Sequence, residues 1–74
     1  MASELEKIIL LGKNIQKARK DKGLSQNAFA GILNISREHV AKIETAKRKL
    51  SLSLLFKISE ALDISESELF NFKK

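Results

Sequence analysis

Apolar residues recur along the chain at intervals of three and four, and serine, glycine or asparagine falls between one apolar run and the next. Leu5, Ile8, Ile9, Gly12, Ile15 and Ala18 share one side of a helical wheel, which predicts a first helix over roughly residues 4–22. Ser3 followed by Glu6 fits a capping box at its start. Gly23, at ease in left-handed backbone, fits its end. Ser25 is placed to cap a second helix with Phe29, Ala30 and Leu33 inward. Asn34 follows, and asparagine is the residue after glycine that best tolerates positive φ. Ser36 is placed to cap a third helix, with Val40 and Ile43 on its inner face. Lys47-Arg48-Lys49 reads as a polar, basic connection. Ser51 opens a fourth helix with Leu52, Leu55, Ile58 and Leu62 inward. Ser65 with Glu68, a second capping box, opens a short fifth helix through Leu69 and Phe70. No repeat, low-complexity tract or linker interrupts the pattern, so residues 1–74 read as a single all-α domain.

Composition narrows the field. Seventy-four residues fit one small domain. The absence of proline and the abundance of Leu, Ile, Lys, Glu and Ala agree with an all-helical chain. Without cysteine and with His39 as its one histidine, the chain has no disulfide, no thiolate metal site and no histidine cluster. No Tyr or Trp and only four Phe argue against a single-stranded nucleic-acid module built on stacked aromatics. The apolar residues are too scattered to span a membrane, and Met-Ala-Ser-Glu-Leu-Glu lacks the basic start and apolar core of a signal peptide, so the expected location is cytoplasmic. Catalysis is not expected either. There is no Ser-His-Asp set and no glycine-rich phosphate loop, and five short helices leave little room for a cleft. Glu4/Glu6 and Glu66/Glu68 are spaced by two, which puts each pair on different sides of a helix and suits cap and solvent roles. Neither a metal nor another cofactor is implied.

The net charge is +5, with an isoelectric point near 9.8, but its distribution says more. Residues 11–50 hold ten basic residues against three acids. Residues 51–72 hold Lys57 against Glu60, Asp63, Glu66 and Glu68. A basic middle beside an acidic end suits one face turned to a polyanion and another turned away from it. A solvated lysine surface on a small helical protein would give the same totals.

The stretch from Gln26 to Thr45 is more specific. Counting Gln26 as the first position, apolar or small residues fall at the fourth (Phe29), fifth (Ala30), eighth (Leu33), tenth (Ile35), fifteenth (Val40) and eighteenth (Ile43), with Asn34 at the ninth. This spacing makes two short helices cross steeply around a tight turn. The fifth position must be small because the second helix passes close to it, and the ninth must accept left-handed backbone. Gly23-Leu24-Ser25-Gln26-Asn27-Ala28-Phe29-Ala30, Leu33-Asn34-Ile35-Ser36 and Ile43-Glu44 resemble the phage-repressor-like (Xre/Cro) helix-turn-helix family. The resemblance continues through Leu52, Leu55, Ile58, Ala61-Leu62, Ile64-Ser65 and Glu68-Leu69-Phe70, and covers about residues 8–70. It implies a compact five-helix, lambda-repressor-like DNA-binding domain with its motif at about 25–45. The short chain and the proline-free Lys49-Leu50-Ser51-Leu52 entry are also similar to restriction–modification controller proteins. Two positions depart from the family: Asn34 replaces the usual turn glycine, which is tolerable, and Ala46 replaces the glycine that usually follows the recognition helix. Alanine disfavours positive φ, so residues 46–50 are expected to leave the family's course.

A helix-turn-helix presents the N-terminal part of its second helix to the major groove. Arg37, Glu38, Ala41 and Lys42 lie away from Val40 and Ile43, and the resemblance places these positions at base edges. Arg37 could fork onto guanine O6 and N7, worth about 1–3 kcal/mol of discrimination. Lys42 could do the same or grip a phosphate. Glu38 could accept from a cytosine amino group, orient Arg37, or simply favour the helix N-terminus. His39 is placed to touch backbone or base, or to stay solvated. In the family the glutamine at Gln26 bonds a phosphate and braces the recognition helix; an exposed helix-start residue is the plainer reading. Ser36 can cap and still face a phosphate. Asn27, Lys47, Arg48 and Lys49 are candidate backbone clamps, which position without reading sequence. The resemblance also implies a partly buried ion pair, Arg19–Glu44, between the first helix and the recognition helix.

A domain of this size covers one half-site, roughly four or five base pairs, so useful affinity calls for a homodimer on an inverted repeat with half-sites about 34 Å apart. Leu54 and Phe56 point away from the inward face read for the fourth helix, and Leu69, Phe70 and Phe72 crowd the C-terminal end. An exposed remainder of these, within about 54–72, would form the dimer patch; the other outcome is a tail packed back on the first helix. The function that follows is a sequence-specific, double-stranded DNA-binding transcriptional regulator, with a restriction–modification controller as the narrower reading. No small-molecule effector and no membrane partner are implied, so control would run through protein concentration and dimerisation. The rival is a protein-interaction module or antitoxin-like partner that keeps the fold; Arg37 and Lys42 argue against it.

Overall fold

Helices begin where the serines stand. In the computed structural model, which describes residues 3–72, α1 spans Glu4–Asp21, α2 Gln26–Leu33, α3 Arg37–Glu44, α4 Leu52–Leu62 and α5 Glu66–Leu69. Ser3, Ser25, Ser36, Ser51 and Ser65 sit in extended backbone one residue before each helix. Each hydroxyl accepts a hydrogen bond from the amide three residues on. Such a cap contributes about 1 kcal/mol by satisfying an amide that the helix cannot. Ser3 and Glu6 complete the reciprocal box. At Ser65 only half of the expected box forms: the Glu68 amide donates to Ser65 Oγ, while that hydroxyl lies 3.2 Å from Ser67 Oγ.

The ends of α1 to α4 share one device. At each, two successive amides after the helix donate back to carbonyls six-to-one and five-to-two, and the residue carrying the inner amide has positive φ. The left-handed residues are Gly23, Asn34, Ala46 and Asp63. The bond pairs are Gly23 to Lys20 with Leu24 to Arg19, Asn34 to Gly31 with Ile35 to Ala30, Ala46 to Ile43 with Lys47 to Lys42, and Asp63 to Glu60 with Ile64 to Ser59. Ala46, at φ 61, therefore keeps the left-handed exit that its lack of a glycine argued against. The two bonds onto α3 hold it there despite a steric cost of roughly 1–2 kcal/mol. Three joints are then built identically: Gly23-Leu24-Ser25, Asn34-Ile35-Ser36 and Asp63-Ile64-Ser65. Each has a left-handed residue, an apolar residue packed against the core, and a serine cap. The α3–α4 joint differs. After Ala46 it runs through Lys47-Arg48-Lys49 before Leu50 and Ser51 return to the pattern.

Ile15, Phe29, Ala30, Leu33, Val40, Ile43, Leu55, Ile58, Leu62 and Leu69 form the buried core, so every helix contributes to it. Four expectations are corrected. Leu5 and Ile9 are exposed, because at 100° per residue they lie past Gly12, beyond the arc of Ile8, Leu11 and Ile15 that faces inward. Leu52 is 69% exposed. The buried arc of α4 centres on Leu55, Ile58 and Leu62, so its inner shoulder falls on Leu54 and Ala61, and Leu52 and Phe56 lie on the other side. Leu54, expected on the outside, is half-buried against the core. Leu69, expected at a dimer patch, is completely buried and belongs to the core. No helix among the described residues is long and apolar enough to cross a membrane.

Candidate nucleic-acid interface

The presentation of α3 depends on three attachments made by its inner side. Val40 and Ile43 enter the core. At its C-terminal end, α3 meets α1 backbone to backbone at Gly12. A Cβ there would lie 2.7 Å from the Glu44 carbonyl oxygen and 2.8 Å from that of Ile43, so no larger residue fits without parting the helices. The third attachment is electrostatic. Arg19 donates to the Glu44 carboxylate from Nε at 2.7 Å and from Nη2 at 3.1 Å, in a two-pronged pair whose side chains are 7% and 0% exposed. Arg19 Nη1 donates to the Leu24 carbonyl at 2.7 Å, and Gln26 Nε2 donates to Glu44 Oε1 at 3.1 Å. The carboxylate is thus matched by three donors from α1 and the start of α2, which is what a buried charge requires. Gln26 braces α3 directly and is half-buried, rather than an idle helix-start residue.

The opposite side of α3 is open. Arg37, Glu38 and Lys42 are exposed, and Ala41 and His39 are half-buried. Arg37 has no hydrogen-bond or ion-pair partner among the described residues, so its guanidinium is available for a ligand. Glu38 is approached by Lys42 Nζ at 3.7 Å, one helical turn away and in solvent, where the pairing is weak and easily exchanged. Lys42, not Arg37, is therefore the residue that Glu38 restrains. Ser36 is exposed and spends its hydroxyl oxygen as an acceptor on the His39 amide, leaving its O–H free to donate. Asn27 is exposed at the first turn of α2, next to Gln26. Lys47, Arg48 and Lys49 are exposed on the lengthened joint directly after α3.

Two features escaped the residue-by-residue reading. Thr45, exposed at the end of α3, lies four residues beyond Ala41 on the open side, with its hydroxyl donating to the Ala41 carbonyl at 2.8 Å. It extends the open face by one turn, and the spacing of Glu38, Ala41 and Thr45 was the available signal. The close crossing at Gly12 had only a glycine within an apolar stripe to announce it. Of the apolar residues expected at a dimer patch, Phe56 is 51% and Phe70 46% exposed, while Leu54 and Phe72 are half-buried.

Two short helices joined by a three-residue turn, the second pinned from within and open outward beside a basic joint, make a helix-turn-helix protein. The chain belongs to the helix-turn-helix family, whose model matches residues 15–69. It is 44% identical over 64 residues to the control protein C.MunI of a Mycoplasma species, a match covering 85% of this chain and 86% of that protein. Among solved structures it resembles the restriction-modification controller protein C.AhdI from Aeromonas hydrophila. The TM-score is 0.79 at 34% identity, over 84% of this chain and 94% of that one. It also resembles the controller protein C.Esp1396I, with a TM-score of 0.77 at 29% identity, over 93% of this chain and 87% of that one.

Proposed function

We propose that the chain is a cytoplasmic transcriptional regulator that reads double-stranded DNA in the major groove as a homodimer on an inverted repeat. Within that class the restriction-modification controllers are the group it fits. The observation that carries the reading is the two-sided construction of α3. Its inner side is fixed by a buried ion pair and a backbone contact, and its outer side offers an unpaired Arg37 and a Lys42 held only by a weak, solvent-exposed pairing with Glu38. A rigid support and a solvent-facing donor set are what base readout requires, since a bidentate contact discriminates only when its donors arrive in register.

In this reading Arg37, Glu38, Ala41 and Lys42 meet base edges. Gln26, Asn27, Ser36, His39, Lys47, Arg48 and Lys49 meet the backbone. The unequal joints support the second assignment, because the only joint among α1 to α5 that breaks the common three-residue pattern carries three cations. Gln26 couples the two groups, since its amide already bonds Glu44 of α3. The second copy docks on exposed Phe56 and Phe70 with Leu52 and half-buried Phe72, while Leu54 lies across the buried arc of α4 from Leu52 and Phe56. Leu52, Phe56 and Ser59 lie on one side of α4 at intervals of four and three. Ser59 Oγ donates to the Ile64 carbonyl at the turn into α5. No effector site and no catalytic step enter the reading, and protein concentration sets occupancy through dimerisation.

Titration of a labelled random-sequence duplex tests DNA binding at its most general. Saturable binding at low salt that weakens steeply as salt rises is the expected result. No binding at low salt would overturn the reading and favour the protein-interaction module.

A further inference from the structure

We infer that Thr45 is a further specificity-determining residue: its methyl group, beside that of Ala41, meets the C5-methyl of a thymine in the major groove. The inference rests on the DNA reading proposed above and deepens it. Its first support is position. At about 100° per residue, Glu38 and Thr45 both lie within about 10° of the direction opposite Val40 and Ile43, which is the centre of the open face. Thr45 is exposed there, one residue past the end of α3. From Arg37 to Thr45 the helix rises about 12 Å, roughly the width of the major groove. The last turn of the open face therefore fits within the groove along with the first.

The second support is chemistry. Thr45 Oγ1 donates to the Ala41 carbonyl at 2.8 Å, an acceptor that it shares with the Thr45 amide at 3.1 Å. This bond fixes the first side-chain torsion and uses the one hydrogen of the hydroxyl. Phosphate oxygens only accept, so Thr45 has no side-chain donor for a phosphate while that bond stands. It offers a methyl group and an oxygen that accepts. One turn earlier, half-buried Ala41 adds a second methyl to the same side. Around the helix Arg37 and Lys42 lie on either side of these two, so the open face carries an apolar strip between two cations. The major groove presents one apolar group to such a strip, the C5-methyl of thymine.

Deoxyuridine differs from thymidine by this methyl alone, so it isolates the contact. The probe is the duplex that the wild type enriches from random DNA. Each thymine of its half-sites is replaced in turn by deoxyuridine, and binding is read by fluorescence anisotropy at one fixed salt concentration. For the wild type, one replacement should weaken binding about fourfold per half-site, the affinity equivalent of one buried methyl. Thr45→Ser keeps the hydroxyl but lacks the methyl, and should lose most of that penalty. Thr45→Val keeps the methyl without the hydroxyl, and should retain it. A penalty undiminished in Thr45→Ser, lost in Thr45→Val, or absent at every thymine in the wild type would overturn the role of Thr45 and leave DNA reading intact. A half-site without thymine would do the same. No enriched site at low salt would overturn the DNA reading, and this inference with it.

Discussion

Replacing Glu44 with alanine should cost this protein much of its stability. The carboxylate is fully buried and accepts from Arg19 Nε, Arg19 Nη2 and Gln26 Nε2. Its removal leaves Arg19 with one hydrogen bond, to the Leu24 carbonyl, and a positive charge only 7% exposed. Breaking a buried pair from one side costs about 3–5 kcal/mol, because the remaining charge is stranded. A chain of this size has about 4–11 kcal/mol in all. At about 4–8 °C per kcal/mol for a domain of this length, the midpoint of thermal unfolding should fall by at least about 12 °C. Glu60→Ala is the control: it removes the same side chain from the exposed surface of α4, where a surface change is nearly neutral. Circular dichroism melts at one fixed protein concentration read both, since dimerisation makes the midpoint concentration-dependent. Equal losses in the two variants would refute the reasoning. Replacing both members, Arg19→Met with Glu44→Leu, should recover most of the loss, because no charge is then stranded.

Other consequences follow from the same geometry. Gly12→Ala should destabilise by about 1–3 kcal/mol through the clash with the Glu44 and Ile43 carbonyls, whereas Gly31→Ala, with open space at its Cβ, should stabilise α2 by about 0.5–1 kcal/mol; urea unfolding of both decides, and a shared sign would contradict the contact. Ala46→Gly should stabilise by about 0.5–1 kcal/mol, as relief of the left-handed strain outweighs the added freedom of the unfolded chain; a lower melting point would mean that φ at Ala46 is not positive. Lys47→Ala, Arg48→Ala and Lys49→Ala should each reduce the log–log salt slope of DNA binding by about 0.9 without altering sequence preference. An unchanged slope would remove that residue from the phosphate contacts.

Helix starts are legible in this sequence because a serine cap bonds an amide three residues away, and both partners lie within one short window. Helix ends were legible where the left-handed residue advertised itself, as Gly23 and Asn34 do. Asp63 passed unread, and Ala46 pointed the wrong way, because the paired bonds back onto the helix are made by backbone and accept any residue whose strain they can outweigh. The apolar stripes were legible as stripes, but not which edge of each faces inward. Leu52 and Leu54 flank the same buried arc of α4, and only the helices packed against it decide between them. Leu69 is fully buried and its carbonyl accepts from Asn14 of α1, a long-range contact that no local spacing records. The open face of α3 followed from periodicity once Val40 and Ile43 were placed inside. The Arg19–Glu44 pair came from the family resemblance, and the Gly12 crossing and the Asn14 hydrogen bonds to the Leu69 and Asn71 carbonyls join residues far apart in the chain, where spacing carries no signal.

That α3 reads base edges is tested most directly by selecting binding sites from random duplex DNA with the wild type and with Arg37→Ala. The wild type should enrich an inverted repeat whose half-sites lie about one helical turn apart. The variant should keep the repeat but lose a guanine preference worth about 1–3 kcal/mol at one position in each half. No enrichment by the wild type at low salt, or an identical motif from the variant, would contradict it.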